Sequence, residues 1–336
     1  MDWYLRAATQ GFAEAQFNLG FAYTDGRGVT EDAVAAARWY RQAAEQGHAE
    51  AMRWIRRTAE QGSSEAQFSL GGMYGTGRGV LQDGMAAMRW MHLAAEQGHV
   101  GAQVSLGSMY AARGGAEGEA TAAEWYHRAA AQGDAEALTW IRWMANEGVA
   151  RAQFALGEIF ATGLGGMPQD DVEAVRLYRM AANQGGVARA QVALGEMYAA
   201  GRGVVEDENA AAEWYHRAAG QGDAEAMLLL RETAEQGVAK AQTNLGSMYA
   251  AGRDVPKDDV EATRWYRLAA AQGDRSAQLV LANRYAEGLG VPQDDVEAAR
   301  WYREGAEQGD RAAELALGDM YAAGRGVVED ENAAAE

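Results

Sequence analysis

The chain has 336 residues, no cysteine, 3 prolines and 42 glycines, and its 48 acidic against 30 basic side chains leave a formal charge of −18. Without cysteine there is no disulfide framework, thiolate nucleophile or cysteine-ligated zinc, so burial alone must hold the fold. Such a charge repels phosphate backbones and anionic lipid, and no apolar run is long enough to span a bilayer, so nucleic acid and membrane insertion are not expected and basic or neutral protein surfaces fit better.

The start, Met1-Asp2-Trp3-Tyr4, has no basic region followed by a hydrophobic one, so no export signal is visible. The next residues, Trp3-Tyr4-Leu5-Arg6-Ala7-Ala8, read as the second half of a helix. The block Ala15-Gln16-Phe17-Asn18-Leu19-Gly20-Phe21-Ala22-Tyr23 comes next, and it returns around Leu70-Gly71, Leu106-Gly107, Leu156-Gly157, Leu194-Gly195, Leu245-Gly246, Leu281-Ala282 and Leu317-Gly318. Small and apolar residues lie three and four apart, which predicts a helix, A, beginning near 13, 64, 100, 150, 188, 239, 275 and 311. After most copies come a glycine loop such as Gly26-Arg27-Gly28-Val29, an acid such as Asp32, and a second helical block, B, ending Trp39-Tyr40-Arg41-Gln42-Ala43-Ala44-Glu45-Gln46-Gly47. Asp170, Asp258 and Asp294 sit where helix B starts, with Glu173, Glu261 and Glu297 three residues on, so capping boxes are expected there. Pro168, Pro256 and Pro292 precede them and stop helix A from continuing.

The Leu-Gly pairs are separated by 51, 36, 50, 38, 51, 36 and 36 residues. The three long intervals each contain one extra helical segment, at 49–61, 135–147 and 224–236, that starts like helix A and ends like helix B. Helices joined by tight turns alternate in direction, so one inserted helix should reverse the direction of the next helix A. Residues 195–213 and 318–336 differ only at Glu196 and Asp319, and the second copy stops where the first continues into Trp214. With the half-helix at the start, this suggests half-repeats at both ends, either of an excerpt from a longer array or of ends that complement each other in self-association.

The order Ala-x-x-x-Leu-Gly-x-x-Tyr, Gly-x-Gly-Val, Asp, Ala-x-x-Trp-Tyr-x-x-Ala-Ala, Gly resembles the Sel-one-like repeat (SLR), a relative of the tetratricopeptide repeat, over nearly the whole chain. The resemblance implies an all-α fold: one right-handed superhelical α-solenoid of helical hairpins with a 36-residue period, here carrying three single-helix inserts. It implies a non-catalytic scaffold for protein–protein interaction. Bacterial relatives serve as adaptors in signalling, at the host interface and as immunity partners of secreted toxins.

No constellation of catalytic, cofactor-binding or metal-binding residues stands out against the repeat. Seven tryptophans share one helix B slot (Trp3, Trp39, Trp90, Trp125, Trp214, Trp265, Trp301), which marks packing, whereas Trp54, Trp140 and Trp143 lie in the inserted segments and are better placed for exposure. The glycine loops come after no strand and lack a Lys-Ser or Lys-Thr, so they are turns and not phosphate cradles. His48 and His99 share one slot and His127 and His216 another, so no metal cluster forms in sequence. Specificity should lie where the copies differ, two residues before and two after each Leu. If helix A lines a concave face, Phe17, Phe21 and Phe68 form a hydrophobic part of a groove, together with Phe154, while Glu158 and Glu196 form an acidic part that continues to Asn283 and Asp319. Such a groove suits a basic or amphipathic protein segment.

Overall fold

Alanines and glycines spaced three and four apart give each block a narrow face that lets a neighbouring helix approach closely, and the chain folds into short helices joined by tight turns. The computed structural model describes residues 1–327, and among these there is no strand. Two compact units form, residues 1–169 and 170–336. The first contains α1 (Asp2–Thr9), α2 (Ala13–Asp25), α3 (Ala33–Glu45), α4 (Ala49–Glu60), α5 (Ser64–Thr76), α6 (Gly84–Glu96), α7 (Val100–Arg113), α8 (Gly115–Ala131), α9 (Ala135–Asn146) and α10 (Ala150–Thr162). The second contains α11 (Asp171–Asn183), α12 (Ala188–Ala199), α13 (Glu208–Ala219), α14 (Ala224–Glu235), α15 (Ala239–Ala251), α16 (Asp259–Ala271), α17 (Arg275–Glu287), α18 (Asp295–Glu307) and α19 (Arg311–Ala323). Helices α2, α5, α7, α10, α12, α15, α17 and α19 carry the A block, and α4, α9 and α14 are additional single helices. The half-helix expected near the end falls on residues 328–336, outside the described residues.

Local chemistry sets the ends of the helices. Gly26 and Gly252, at φ 66° and 65°, end α2 and α15 in the left-handed region, as turns and not ligand loops would. Asp258 accepts the N–H groups of Val260 and Glu261 at 3.0 and 2.9 Å and caps α16. The expected capping boxes do not close. The N–H groups of Asp258 and Asp294 are already donated to the carbonyls of Tyr249 and Tyr285. Glu173, Glu261 and Glu297 turn instead to Arg176, Arg264 and Arg300, one helical turn on, at 2.6, 2.8 and 3.3 Å.

Within a hairpin, the glycine of the Leu-Gly pair makes room for the helix B tyrosine: a β-carbon on Gly107 would lie 2.6 Å from the Tyr126 ring. Between hairpins, the buried glutamine of the Ala-Gln pair forms a seam. Gln67 donates to the carbonyl of Ala59 at the end of the preceding helix, at 3.1 Å, and its oxygen accepts from Gln97 at the end of its own helix B, at 2.7 Å. Gln16, Gln103, Gln191, Gln242 and Gln278 repeat both bonds.

The inserted helices belong to the core, since Ile55, Ile141 and Leu230 are fully buried. Beyond α9, α10 packs back onto α8: Arg151 pairs with Glu124 at 3.3 Å, and His127 Nδ1 lies 3.8 Å from Glu158. These pairs advance along both helices together, so α10 runs parallel to α8.

Candidate protein-binding surface

In the N-terminal unit, α5, α6 and α7 enclose an open cleft of about 560 Å³ whose lining includes Gly71, Gly72, Val104, Ser108, Asp134 and Glu136. Gly71 is packed against Met91 of α6, Gly72 and Gly75 are half-buried beside the opening, and the charged side chains of the cleft are acids. A second cleft of about 520 Å³ shares Ser108 with the first and is lined by Glu119, Tyr126, Trp140, Trp143 and Glu147.

The aromatic positions expected to line a groove have other work. His48 Nδ1 accepts the N–H of Ala51 at 3.3 Å and caps α4, which puts the proton on Nε2, where it is donated to Glu14 at 3.1 Å. Phe17 stacks on that imidazole with ring centroids 4.5 Å apart. His99, Ala102, Glu65 and Phe68 repeat the arrangement, again with 4.5 Å between rings. The hydrogen bond from His99 holds the Glu65 carboxyl below the usual range. Phe21 is half-exposed beneath the Arg27 guanidinium, 4.8 Å above its ring, and Phe154 is buried at 7% exposure.

Of the polar positions, Glu158 is half-buried beside His127, whereas Glu196, Asn283 and Asp319 are exposed in the C-terminal unit. Although Glu196 as a residue is exposed, partial burial of its carboxyl, followed by the nearby Glu225 carboxylate, pushes that group above its ordinary value. Burial and then Glu196 push the Tyr215 phenol up to about 12, so it is a neutral donor at any physiological pH. Asn283 accepts the Tyr302 hydroxyl at 2.5 Å, and Asp319 lines a cleft with Tyr302 and Arg325.

The repeated tryptophan slot is core only in part: Trp125, Trp265 and Trp301 are 6%, 6% and 8% exposed, Trp39, Trp90 and Trp214 are half-buried, and Trp3 is exposed. Of the inserted-helix tryptophans, Trp54 is half-buried against Tyr40, whereas Trp140 and Trp143, at 39% and 54%, are exposed. Sequence reasoning passed over the seam glutamines, although their recurrence beside a core alanine was visible, and it gave no role to Glu119 or Glu147. Among the described residues, no group of three or more His, Asp or Glu side chains could hold a metal ion, and no helix is long and apolar enough to cross a membrane.

Hairpins stacked through a recurring polar seam, with the departures from the repeat gathered at the surface, define a helical-repeat scaffold. A model of the Sel1 repeat matches residues 1–12, 13–48, 49–63, 64–99, 100–134, 150–186, 188–223, 239–274, 275–310 and 311–336, and the chain belongs to the Sel1 repeat family. Among solved structures it is similar to a protective antigen of uropathogenic Escherichia coli strains that displays an SLR fold, at 32% identity over 99% of this chain and 85% of that one, with a TM-score of 0.32. It is also similar to a Sel1 repeat protein from Oxalobacter formigenes, at 32% identity over 99% of this chain and 83% of that one, with a TM-score of 0.32. No protein of curated function matches it. Sel1 repeat proteins generally mediate protein–protein interaction and are generally non-catalytic.

Proposed function

We propose that the chain is a non-catalytic adaptor that holds a basic or amphipathic protein segment against the helix A face of its N-terminal unit. The observation that carries this reading is the cleft over α5, α6 and α7. Gly72 and Gly75 give it a floor that a helix or extended strand can approach closely, and Asp134 and Glu136 give it a negative wall. Glu158, half-buried beside His127, extends the acidic character within the same unit. On the C-terminal unit, taken by itself, Glu196, Asn283 and Asp319 expose acidic and polar side chains.

The reading is tested by fluorescence anisotropy with a labelled amphipathic peptide of alternating Lys and Leu turns, against its Glu-for-Lys counterpart. The basic peptide should bind, and its affinity should fall as salt rises. Glu136→Lys combined with Glu158→Lys should weaken it about tenfold, equivalent to about 1.4 kcal/mol, and flatten the salt dependence. Equal binding of both peptides, or an unchanged salt slope in the double variant, would refute the assignment.

A further inference from the structure

The second cleft of the N-terminal unit combines repeated positions with departures from the repeat, Trp143 and Glu147. Helix α8 has 17 residues where α3, α6 and α13 have 13, 13 and 12, because the usual glycine loop and capping aspartate are replaced by Gly114-Gly115 and the helix starts a turn earlier. The extra turn is residues 115–118; Glu119, which lines the cleft, follows it at the slot where Glu208, Asp259 and Asp295 begin α13, α16 and α18, so an acid there belongs to the repeat. Trp143 occupies a position held by Arg57 in α4 and Glu232 in α14, so packing of an inserted helix does not require an aromatic there. Glu147 ends α9 where Gln61 and Gln236 end the sister helices. A carboxylate is the wrong charge for the C-terminus of a helix, so the dipole does not explain it.

The part of the cleft that does repeat is Trp140 on Tyr126, parallel at 9° with centroids 5.9 Å apart, matching Trp54 against Tyr40 at 4.2 Å. Trp143 adds a second wall at right angles, 90° and 5.7 Å from Trp140. Two perpendicular indoles, a phenol, two carboxylates and no basic side chain line this opening. Aromatic faces and carboxylates both favour a cation that has shed part of its water.

We propose that this cleft is a recognition pocket for the cationic side chain, Lys or Arg, of a protein partner. Ser108 lies on both clefts, so a segment held along the first can place a side chain in the second. The inference rests on the adaptor reading but is tested without any peptide.

The indole N–H resonances of Trp140 and Trp143 are followed by NMR while Nα-acetylarginine amide, Nα-acetyllysine amide, the neutral isostere Nα-acetylcitrulline amide and tetramethylammonium are added to the full chain. The arginine and lysine amides should shift both resonances in a saturable way, with at least fivefold weaker binding of the citrulline amide. Trp143→Arg, whose side chain a sister helix already accommodates, should abolish saturation in the remaining Trp140 signal, and Glu147→Gln, also a sister residue, should weaken it at least threefold. Citrulline binding as well as arginine, or Trp143→Arg leaving the affinity unchanged, would overturn the pocket. So would saturation by tetramethylammonium alone, which would mark a site for a free quaternary ammonium compound. Any of these outcomes with the basic peptide still bound would remove the pocket and leave the adaptor reading standing. Loss of peptide binding with the amide results intact would do the reverse.

Discussion

Two kinds of junction join one hairpin to the next, and they treat the same side chain differently. Where helix B leads directly into the next helix A, the second residue after the tryptophan slot finds a phenol 18 or 19 positions on: His92 meets Tyr110 at 2.9 Å, Arg179 meets Tyr198 at 2.8 Å, Arg267 meets Tyr285 at 3.0 Å and Arg303 meets Tyr321 at 2.9 Å. Where a helix intervenes, that helix takes the phenol, through Arg56 to Tyr74 at 3.4 Å and Arg231 to Tyr249 at 2.7 Å. In α9, the position 18 residues on from Arg142 is Phe160, which has no hydroxyl, and Arg142 reaches the sulfur of Met167 at 3.7 Å instead. The helix B residues displaced by the inserts are Arg41, His127 and His216, and each leaves a buried nitrogen with no hydrogen bond among the described residues. An inserted helix therefore serves as helix A for the hairpin before it and as helix B for the hairpin after it, and the cost falls on the side chain it supersedes.

The largest effect should come from challenging the inserted helix as core. Ile141→Ala should cost about 2–5 kcal/mol, the same range as Leu281→Ala at a direct junction, measured by urea unfolding. A cost below about 1 kcal/mol for Ile141 alone would make α9 an appendage and dissolve the comparison. Next comes the displaced histidine. Burial pushes the imidazoles of His127 and His216 below their ordinary value of 6.5, so the folded chain resists a proton that the unfolded chain accepts. Stability from this source is present above pH 6.5 and lost as the pH falls. His216→Phe should therefore stabilise by about 1 kcal/mol and more in acid than in base, whereas His92→Phe, which strands Tyr110, should destabilise by about 1 kcal/mol. Melting curves at pH 5 and pH 8 that move in the same direction for both variants would erase the distinction. The smallest effect concerns Glu225, which the inserted α14 brings towards Glu196. Because Glu196 is raised above its ordinary 4.5, its charge opposes folding at neutral pH, and the protein gains as that carboxyl is protonated. Glu196→Gln should raise stability at pH 7 by no more than about 0.5 kcal/mol and lose the advantage below pH 4.5. An advantage that persists in acid would mean that the side-chain shape, not the charge, is responsible.

Legibility in the sequence depends on how far apart the interacting residues lie. Asp258 caps α16 through N–H groups two and three residues away, and Gly252 ends α15 through its own φ, so both are readable from local pattern. The inserted helices are readable because an interval of 51 against 36 leaves room for one helix. The capping boxes fail because Asp258 has a partner nine residues back, at Tyr249, which no local rule includes. The seam stays hidden for the same reason, since Gln242 bonds 8 residues back and 30 forward. Phe17 looks like a groove residue until the imidazole of His48, on another helix, is found stacked on it. The second cleft is the mixed case: Trp140, Trp143 and Glu147 fall on one face of α9 by helical period, but only folding brings Glu119 and Tyr126 of α8 to the same opening.

The glutamine seam also constrains how such a chain can change its length. Each amide must find a carbonyl at the end of the helix before it, and the separation is 8 residues at Gln67, after an inserted helix, and at Gln278, after a helix B. Whole helices can thus be gained or lost in ancestry without stranding the amide, while a slip of one or two residues inside the motif would leave it without an acceptor. Gln191 shows the tolerance: where Gly185-Gly186 lengthens the turn, the separation becomes 9 and the bond survives at 3.2 Å. At α19 the slot holds Glu314, a carboxylate with no N–H to give, so among the described residues the seam has a last member, Gln278.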